Sequence, residues 1–175
     1  MSKQIIGIFA LNLILITSAA DSLDTARAEI PTASLVGEGR LKVLFWKVFD
    51  AQLYAPRGEW SMQAPFALSL NYLRHLDGEK IAERSIDEIR DQGFNNEAKL
   101  NEWLRQMRAI FPDVDQTTTL TGVYKPQQET RFYLNGELIG RVDDPAFGER
   151  FFKIWLGEKS SQPKLRNKLI GGARS

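Results

Sequence analysis

Hydrophobic and polar residues alternate with a period of two along three segments in the first half of the chain. Successive side chains of a β-strand point to opposite faces, so this alternation predicts three half-buried strands. In the third segment the apolar face reaches Tyr72, and Arg74 stands at its end. The predicted strands cover residues 38–46, 48–54 and 66–74.

The period then becomes helical. Asp77 is a suitable N-cap for a helix whose apolar stripe includes Ile81, and Gly93 can end that helix. A second helix is predicted over residues 96–111 from its amphipathic face, and Pro112 stops it. The middle of the chain is therefore expected to hold two consecutive helices.

Strand patterns return after Pro112, and two more helices follow them. Asn135-Gly136 is a preferred pair for a two-residue hairpin turn, because both residue types tolerate a positive φ. The order of three strands, two helices, three strands and two helices predicts a single α+β domain, with helices packed on one face of an antiparallel sheet. A cleft between sheet and helices is where a small ligand is expected. The later elements are predicted near residues 116–124, 131–134, 137–142, 145–156 and 164–170.

The N-terminus has the layout of a secretory signal peptide. Lys3 precedes an apolar run over residues 5–16, which at about 12 residues is short of the roughly 20 needed to cross a bilayer. Cleavage after Ala28 fits the small-residue pattern best, and cleavage after Ala20 is the alternative. We therefore expect a signal peptide over residues 1–28, a mature domain over residues 29–175, and a periplasmic or secreted protein. An uncleaved anchor and a cytoplasmic N-terminal helix are the remaining alternatives.

The composition limits the kinds of metal, cofactor and catalytic site that the protein can contain. The chain has no cysteine and one histidine, His75, which excludes zinc–thiolate sites, iron–sulfur clusters, thiol catalysis and histidine-rich metal sites. Phosphate-binding and dinucleotide-binding glycine motifs are absent too, so no metal or organic cofactor is implied. The net charge of +1 gives no overall attraction to nucleic acid or to an anionic membrane. The basic residues near the C-terminus, over residues 159–174, are interpreted as a solvated surface.

Five short motifs, taken in order, resemble the chalcone isomerase family, and most closely its exported bacterial branch. The resemblance spans about residues 35–171 and implies an open-faced β-sandwich, in which helices cover one side of a large antiparallel sheet. The motifs are Gly37-Glu38-Gly39, Val48-Phe49-Asp50-Ala51-Gln52-Leu53-Tyr54, Leu76-Asp77-Gly78-Glu79-Lys80, Phe152-Lys153-Ile154-Trp155-Leu156-Gly157 and Pro163-Lys164-Leu165.

The resemblance also implies which positions would carry catalysis. Plant members of the family cyclise a chalcone to a flavanone, whereas other members bind fatty acids or have no known activity. In the enzymes an arginine, two threonines, a lysine, a tyrosine and an asparagine line the cleft. None of these residue types is kept here, so chalcone isomerase activity is not expected. The matching positions hold Leu41, Phe49, Tyr72, Ile81, Glu88 and Ile154.

The substitutions leave an apolar cleft as the candidate site. Its lining would be Leu41, Phe49, Tyr72, Ile81 and Ile154, and the alternative is that these side chains simply fill the core. Arg74 would form the polar end, since an arginine can hold a carboxylate with two hydrogen bonds. The alternative for Arg74 is an ion pair with Glu79, Glu83 or Glu88.

Three functional hypotheses follow. The leading one is a non-catalytic periplasmic protein that binds a fatty acid or an aromatic small molecule. The second is an isomerase or lyase that acts through Tyr72 and Glu88, where Glu88 is a buried base with a raised pKa. The third is a scaffold with a filled cleft that binds a protein partner. His75 is expected to be structural or exposed, and Glu88 is alternatively expected to pair with Arg84.

Overall fold

The computed structural model describes residues 17–171, so the apolar run of the predicted signal peptide lies outside the described residues. Six strands and five helices are formed within the described part of the chain. The strands are β1 (Ala33–Val43), β2 (Trp46–Pro56), β3 (Phe66–Tyr72), β4 (Thr119–Tyr124), β5 (Thr130–Leu134) and β6 (Glu137–Val142). The helices are α1 (Thr17–Glu29), α2 (Gly78–Asp91), α3 (Glu97–Ile110), α4 (Pro145–Leu156) and α5 (Pro163–Leu169).

The strands form one antiparallel sheet in the order β1-β2-β3-β4-β5-β6. This confirms the predicted α+β architecture and the open sheet. Each strand pairs with its neighbour in sequence, and helices α2 and α3 occupy the connection from β3 to β4. Asn135 and Gly136 form the turn between β5 and β6 with φ of 48° and 86°, as their sequence predicted.

The first hairpin differs from the prediction. The alternation suggested a break near residue 47, but the turn lies at Leu44 and Phe45, and Trp46 already begins β2. A register shift follows between Leu41 and Lys42, which leaves Val48 without a strand partner in β1. The alternation missed this turn because it is made of apolar residues, where turns usually carry glycine, asparagine or proline.

Helices α2 to α5 cover one face of the sheet and enclose the main core. Phenylalanines from the sheet and α4 form a continuous set of ring contacts, with the rings of Phe66 and Phe152 5.0 Å apart and those of Phe132 and Phe151 5.3 Å apart. Trp103 of α3 is fully buried and donates its indole N–H to Asp144 Oδ2 at 3.1 Å. Asp144 thereby ties α3 to the beginning of α4.

Helix α5 approaches β1 at a glycine. A Cβ atom on Gly37 would lie 2.1 Å from the carbonyl oxygen of Lys168, a distance that no side chain can occupy. Leu165 and Leu169 of α5 are buried in the main core as a result of this approach. The Gly37-Glu38-Gly39 motif therefore has a packing role.

Helix α1 packs against the opposite face of the sheet, which the sequence had left uncovered. Ala26 and Ile30 join a second apolar cluster with Tyr54, Val123 and Tyr133. None of the helices formed by residues 17–171 combines the length and the apolar character needed to cross a membrane. Four helices thus lie on the predicted face, and the fifth comes from the segment assigned to the signal peptide.

Glu29, the last residue of α1, fastens this helix to the sheet. Its carboxylate accepts hydrogen bonds from Lys125 Nζ at 2.7 Å, from Arg131 Nη1 at 3.0 Å and from the hydroxyl of Tyr133. Burial alone would raise the pKa of Glu29, but these three donors outweigh it and lower the pKa to about 2.

We expect Glu29→Gln to lower the free energy of unfolding by an amount that depends on pH. The folded-state pKa lies below the unfolded value of 4.5, so the stabilisation is complete above about pH 4.5 and is lost as the pH falls toward 2. Urea unfolding of both proteins should therefore show a difference that is largest near neutral pH and shrinks below 4.5. Exposed Glu137 makes no ion pair within residues 17–171, so Glu137→Gln is the matched control. A Glu29→Gln difference that stays constant down to pH 3 would contradict this role.

Candidate functional site

The strand register brings three of the predicted cleft residues side by side on the face covered by α2 to α5. Leu41 pairs with Phe49, and Phe49 pairs with Tyr72. The rings of Phe49 and Tyr72 meet edge to face with centroids 5.9 Å apart, and both residues are buried. Burial raises the pKa of the Tyr72 hydroxyl well above its usual range. Tyr72 therefore stays protonated at neutral pH and is a poor general base.

Packing accounts for part of the predicted cleft. Phe49, Tyr72 and Ile154 are buried in the main core, whereas Leu41 and Ile81 are half-buried and pack against it. A small void of about 10 Å³ between the sheet and α4 is lined by other residues, and that volume is about what one water molecule needs. The three buried side chains agree with the alternative that these residues fill the core, and ligand binding at the five positions stays a prediction.

Arg74 does not form the ion pair that was its alternative. Glu79 and Glu83 both pair with Arg108, at 3.1 and 2.8 Å, and Glu88 pairs with Arg84. The guanidinium of Arg74 instead lies over the ring of Trp46, 4.7 Å from its centroid. Its Nε is buried and has no hydrogen-bond partner, so one donor of Arg74 is left unsatisfied.

Glu88 is held by two partners. Its side chain is 8% exposed, and its Oε1 accepts hydrogen bonds from Arg84 Nη2 and from Ser161 Oγ, the latter at 2.9 Å. To act as the general base of an isomerase or lyase with a raised pKa, Glu88 would have to lie in the site without a cationic partner. The observed pairing instead makes Glu88 a link between α2 and the segment that precedes α5.

His75 lies outside the core. It is exposed, and its Nε2 is 3.0 Å from Asp77 Oδ1. Asp77 occupies the N-cap position of α2 as predicted, but its side chain makes no capping hydrogen bond. Asp113 Oδ1 accepts from the Gly78 backbone N–H at 2.9 Å instead. The junction between β3 and α2 thus only joins a strand to a helix. Asp113, from a distant segment of the chain, caps the beginning of that helix.

An open groove of about 650 Å³ lies away from the predicted cleft, at the C-terminal ends of α2 and α4. Its apolar part includes Trp60, Met62 and Leu156, and the indole N–H of Trp60 is buried without a partner. Four basic residues and one acidic residue share the lining, so its charge is net positive. Its lining residues are Trp60, Ser61, Met62, Gln63, Ile89, Gln92, Arg150, Lys153, Leu156, Gly157, Glu158, Lys159 and Arg166.

Sequence reasoning missed this groove because its residues come from four separate segments. The one available signal was the basic stretch that begins at Lys159, which was interpreted as a solvated surface. Arg166 donates its Nε–H to the carbonyl of Leu156 at 2.9 Å, and the guanidinium of Arg150 lies 4.9 Å from the ring centroid of Phe94. Both arginines are thus positioned by contacts with other elements.

Comparison with known proteins establishes the family. The model of the chalcone isomerase-like family matches residues 18–171, almost all of the described chain. The chain belongs to the chalcone isomerase-like family. An uncharacterized protein of Haemophilus influenzae is 29% identical over 129 residues, which cover 73% of this chain and 63% of that protein. This chain therefore spans somewhat less than two thirds of that relative's length.

A solved structure shares the fold. The crystal structure of a fatty-acid binding protein from Arabidopsis thaliana matches with a TM-score of 0.63, at 12% identity, over 81% of this chain and 88% of that chain. Within this chalcone isomerase-like protein, no group of three or more histidine, cysteine, aspartate or glutamate residues in the described chain could hold a metal ion.

A double-mutant cycle tests the structural role of Glu88. We expect Arg84→Met to lower the free energy of unfolding by about 1–2 kcal/mol, because it leaves a buried carboxylate with Ser161 alone. The same substitution should cost much less in a Glu88→Gln background. Urea unfolding of the four proteins gives the coupling energy, and Arg105→Met, at an exposed residue of α3, is the control. Additive effects would show that Arg84 does not hold Glu88.

Proposed function

We propose that this chalcone isomerase-like protein is an exported, non-catalytic binding protein for a small amphiphilic acid, either a fatty acid or an aromatic acid. The observation that carries the proposal is the groove of about 650 Å³, in which an apolar floor and a basic rim lie together. Small-molecule sites typically have volumes of about 300–1,000 Å³ and a few polar groups that orient the ligand.

The lining of the groove suits a ligand with one apolar part and one anionic part. Trp60, Met62 and Leu156 offer hydrocarbon and aromatic surface to a chain or ring. Lys153 and Lys159 line the same groove. Lys153 pairs with Glu149, whereas Lys159 forms no ion pair within residues 17–171. A carboxylate gains most from charged donors that no protein carboxylate already occupies.

The comparisons support the proposal that the protein binds a small molecule. The solved structure that shares this fold is named as a fatty-acid binding protein. At 12% identity the likeness concerns the fold, so the ligand class proposed here rests on the groove's own residues. Arg74 gives a second location for an acidic group, because its guanidinium has no carboxylate partner in the described chain.

The non-catalytic part of the proposal is supported by the residues at the family's reactive positions. Leu41, Phe49, Ile81 and Ile154 supply no donor for a developing oxyanion. Tyr72 has a raised pKa, and Glu88 is paired with Arg84. These features oppose an isomerase or lyase mechanism at this face of the sheet.

Export is supported by the N-terminal pattern, and the packing of α1 favours cleavage after Ala20. Cleavage after Ala28 would remove Ala26 from the second apolar cluster and would leave Glu29 as the chain terminus. We expect the intact mass of the protein recovered from the periplasm or medium to match residues 21–175. A mass that matches residues 29–175 would place the boundary after Ala28, and recovery of the protein in the cytoplasm alone would refute export.

Native mass spectrometry of the processed protein, followed by solvent extraction, tests ligand binding. We expect a bound amphiphilic acid, and we expect added palmitate or cinnamate to bind the apo protein with one-to-one stoichiometry. Lys159→Glu should weaken the binding by about fivefold to tenfold, which corresponds to roughly 1 kcal/mol for an exposed charge. Lys164→Glu makes the same charge change on α5 outside the groove and should leave the affinity unchanged.

The variant Arg74→Ala distinguishes a ligand bound in the groove from a ligand bound beside Arg74 in the predicted cleft. If it abolishes binding while Lys159→Glu does not, the ligand occupies the predicted cleft and not the groove. An apo mass with no response to either acid would refute the binding function and would favour the scaffold hypothesis. Turnover of a chalcone by the purified protein would refute the non-catalytic assignment.

A further inference from the structure

The turn between β1 and β2 exposes an uninterrupted apolar segment. Val43, Leu44, Phe45 and Trp46 follow one another, and Leu44 and Phe45 are 86% and 96% exposed. Fully exposed aromatic side chains each present roughly 150–250 Å², so Phe45 and Trp46 alone expose on the order of 300 Å². We call Val43, Leu44, Phe45 and Trp46 the apolar tip.

The apolar tip is built at a cost to the fold. Leu44 has a φ of 54°, a conformation that a leucine rarely adopts. The same protein forms the β5–β6 turn with Asn135 and Gly136, which adopt positive φ far more readily. An asparagine or glycine in place of Leu44 would adopt this φ at lower cost, so the exposed apolar residues at Leu44 and Phe45 call for another role.

Cations surround the apolar tip. Lys42 and Lys47 are directly opposite each other in the strand register, an arrangement that weakens a hairpin because like charges repel. Neither lysine forms an ion pair with any residue of the described chain. Arg74 lies over the ring of Trp46, which is on the other face of the hairpin from the two lysines. Positive charge is thus present on both faces of the hairpin, just behind the apolar tip.

We propose that the apolar tip docks the protein on a lipid bilayer that carries anionic headgroups. Leu44 and Phe45 enter the boundary between headgroups and acyl chains, and Trp46 lies at headgroup depth, where tryptophan is enriched in membrane proteins. Lys42, Lys47 and Arg74 then face lipid phosphates, whose charge is complementary to theirs. A projecting four-residue tip is small beside the roughly 800 Å² per partner that a stable protein interface buries, which favours a bilayer over a protein surface.

Docking at the apolar tip is independent of the ligand proposed for the groove. The groove is lined by residues from the β2–β3 connection, the ends of α2 and α4 and the start of the C-terminal segment, and it includes none of the apolar tip. In an antiparallel meander the β1–β2 turn and the β2–β3 connection lie at opposite ends of the sheet. A membrane contact at the apolar tip therefore leaves the groove open to solvent.

Flotation of the processed protein with vesicles tests the proposal. Vesicles of phosphatidylcholine mixed with phosphatidylglycerol are compared with vesicles of phosphatidylcholine alone. We expect the protein to float with the anionic vesicles and to be released progressively as salt is added, because the charge contribution is screened. The decisive variant is Leu44→Asn with Phe45→Gly, which places the Asn-Gly sequence of the β5–β6 turn here. It should still fold, because asparagine tolerates the positive φ of Leu44, and it should reduce vesicle partitioning by about tenfold or more.

Two further variants complete the test. Lys42→Glu with Lys47→Glu should reduce partitioning into anionic vesicles more than into neutral ones. Leu138→Ser changes another exposed apolar residue, on β6, and should leave partitioning unchanged. The proposal is overturned if the wild-type protein floats with neither kind of vesicle, or if the Leu44→Asn, Phe45→Gly variant floats as well as the wild type. It is also overturned if sedimentation shows self-association that this double variant abolishes without any vesicle binding, because a second copy of the chain would then cover the tip.

Discussion

The packing of α4 against the sheet determines where this protein can present a site. Phe152 lies close to Gly122 of β4, where a Cβ atom would be 2.9 Å from the ring, and Phe151 packs against Phe132 of β5. Large aromatic side chains at short range leave about 10 Å³ beneath the helix. Aromatic side chains therefore occupy the space between α4 and the sheet, and the open groove lies at the C-terminal ends of α2 and α4.

Two surfaces at opposite ends of the sheet remain open, and both combine apolar and basic groups. The groove at the ends of α2 and α4 joins Trp60 and Met62 to a basic rim, whereas the β1–β2 turn joins Phe45 and Trp46 to unpaired lysines. Similar chemistry at both ends agrees with the two proposed roles, binding of one amphiphilic acid in the groove and contact with a bilayer at the turn. The overall charge of +1 does not reveal these two basic surfaces, because many carboxylates elsewhere in the protein form ion pairs.

The buried polar groups differ in how completely their hydrogen bonds are satisfied. Glu29 is held by two cations and a hydroxyl, and Glu88 by one cation and one hydroxyl, so both charges stabilise contacts between elements. Arg74 has an aromatic ring beneath it and a donor without a partner, which makes it the less satisfied group. Phe49, Tyr72 and Ile154 are buried in the core, while the unsatisfied donor of Arg74 lies just beyond the end of β3.

Local patterns in the sequence were enough to predict the order of the six strands and of helices α2 to α5, and the Asn135-Gly136 turn, but not helix α1. These features follow from backbone geometry that repeats over a few residues. Tertiary structure alone decided that Phe49, Tyr72 and Ile154 are buried in the core, that Glu88 contacts Ser161, and that Arg74 lies over Trp46. Burial in the core and pairing between distant residues depend on how separate elements pack in three dimensions. A periodic pattern within one element carries no information about the distance to another element.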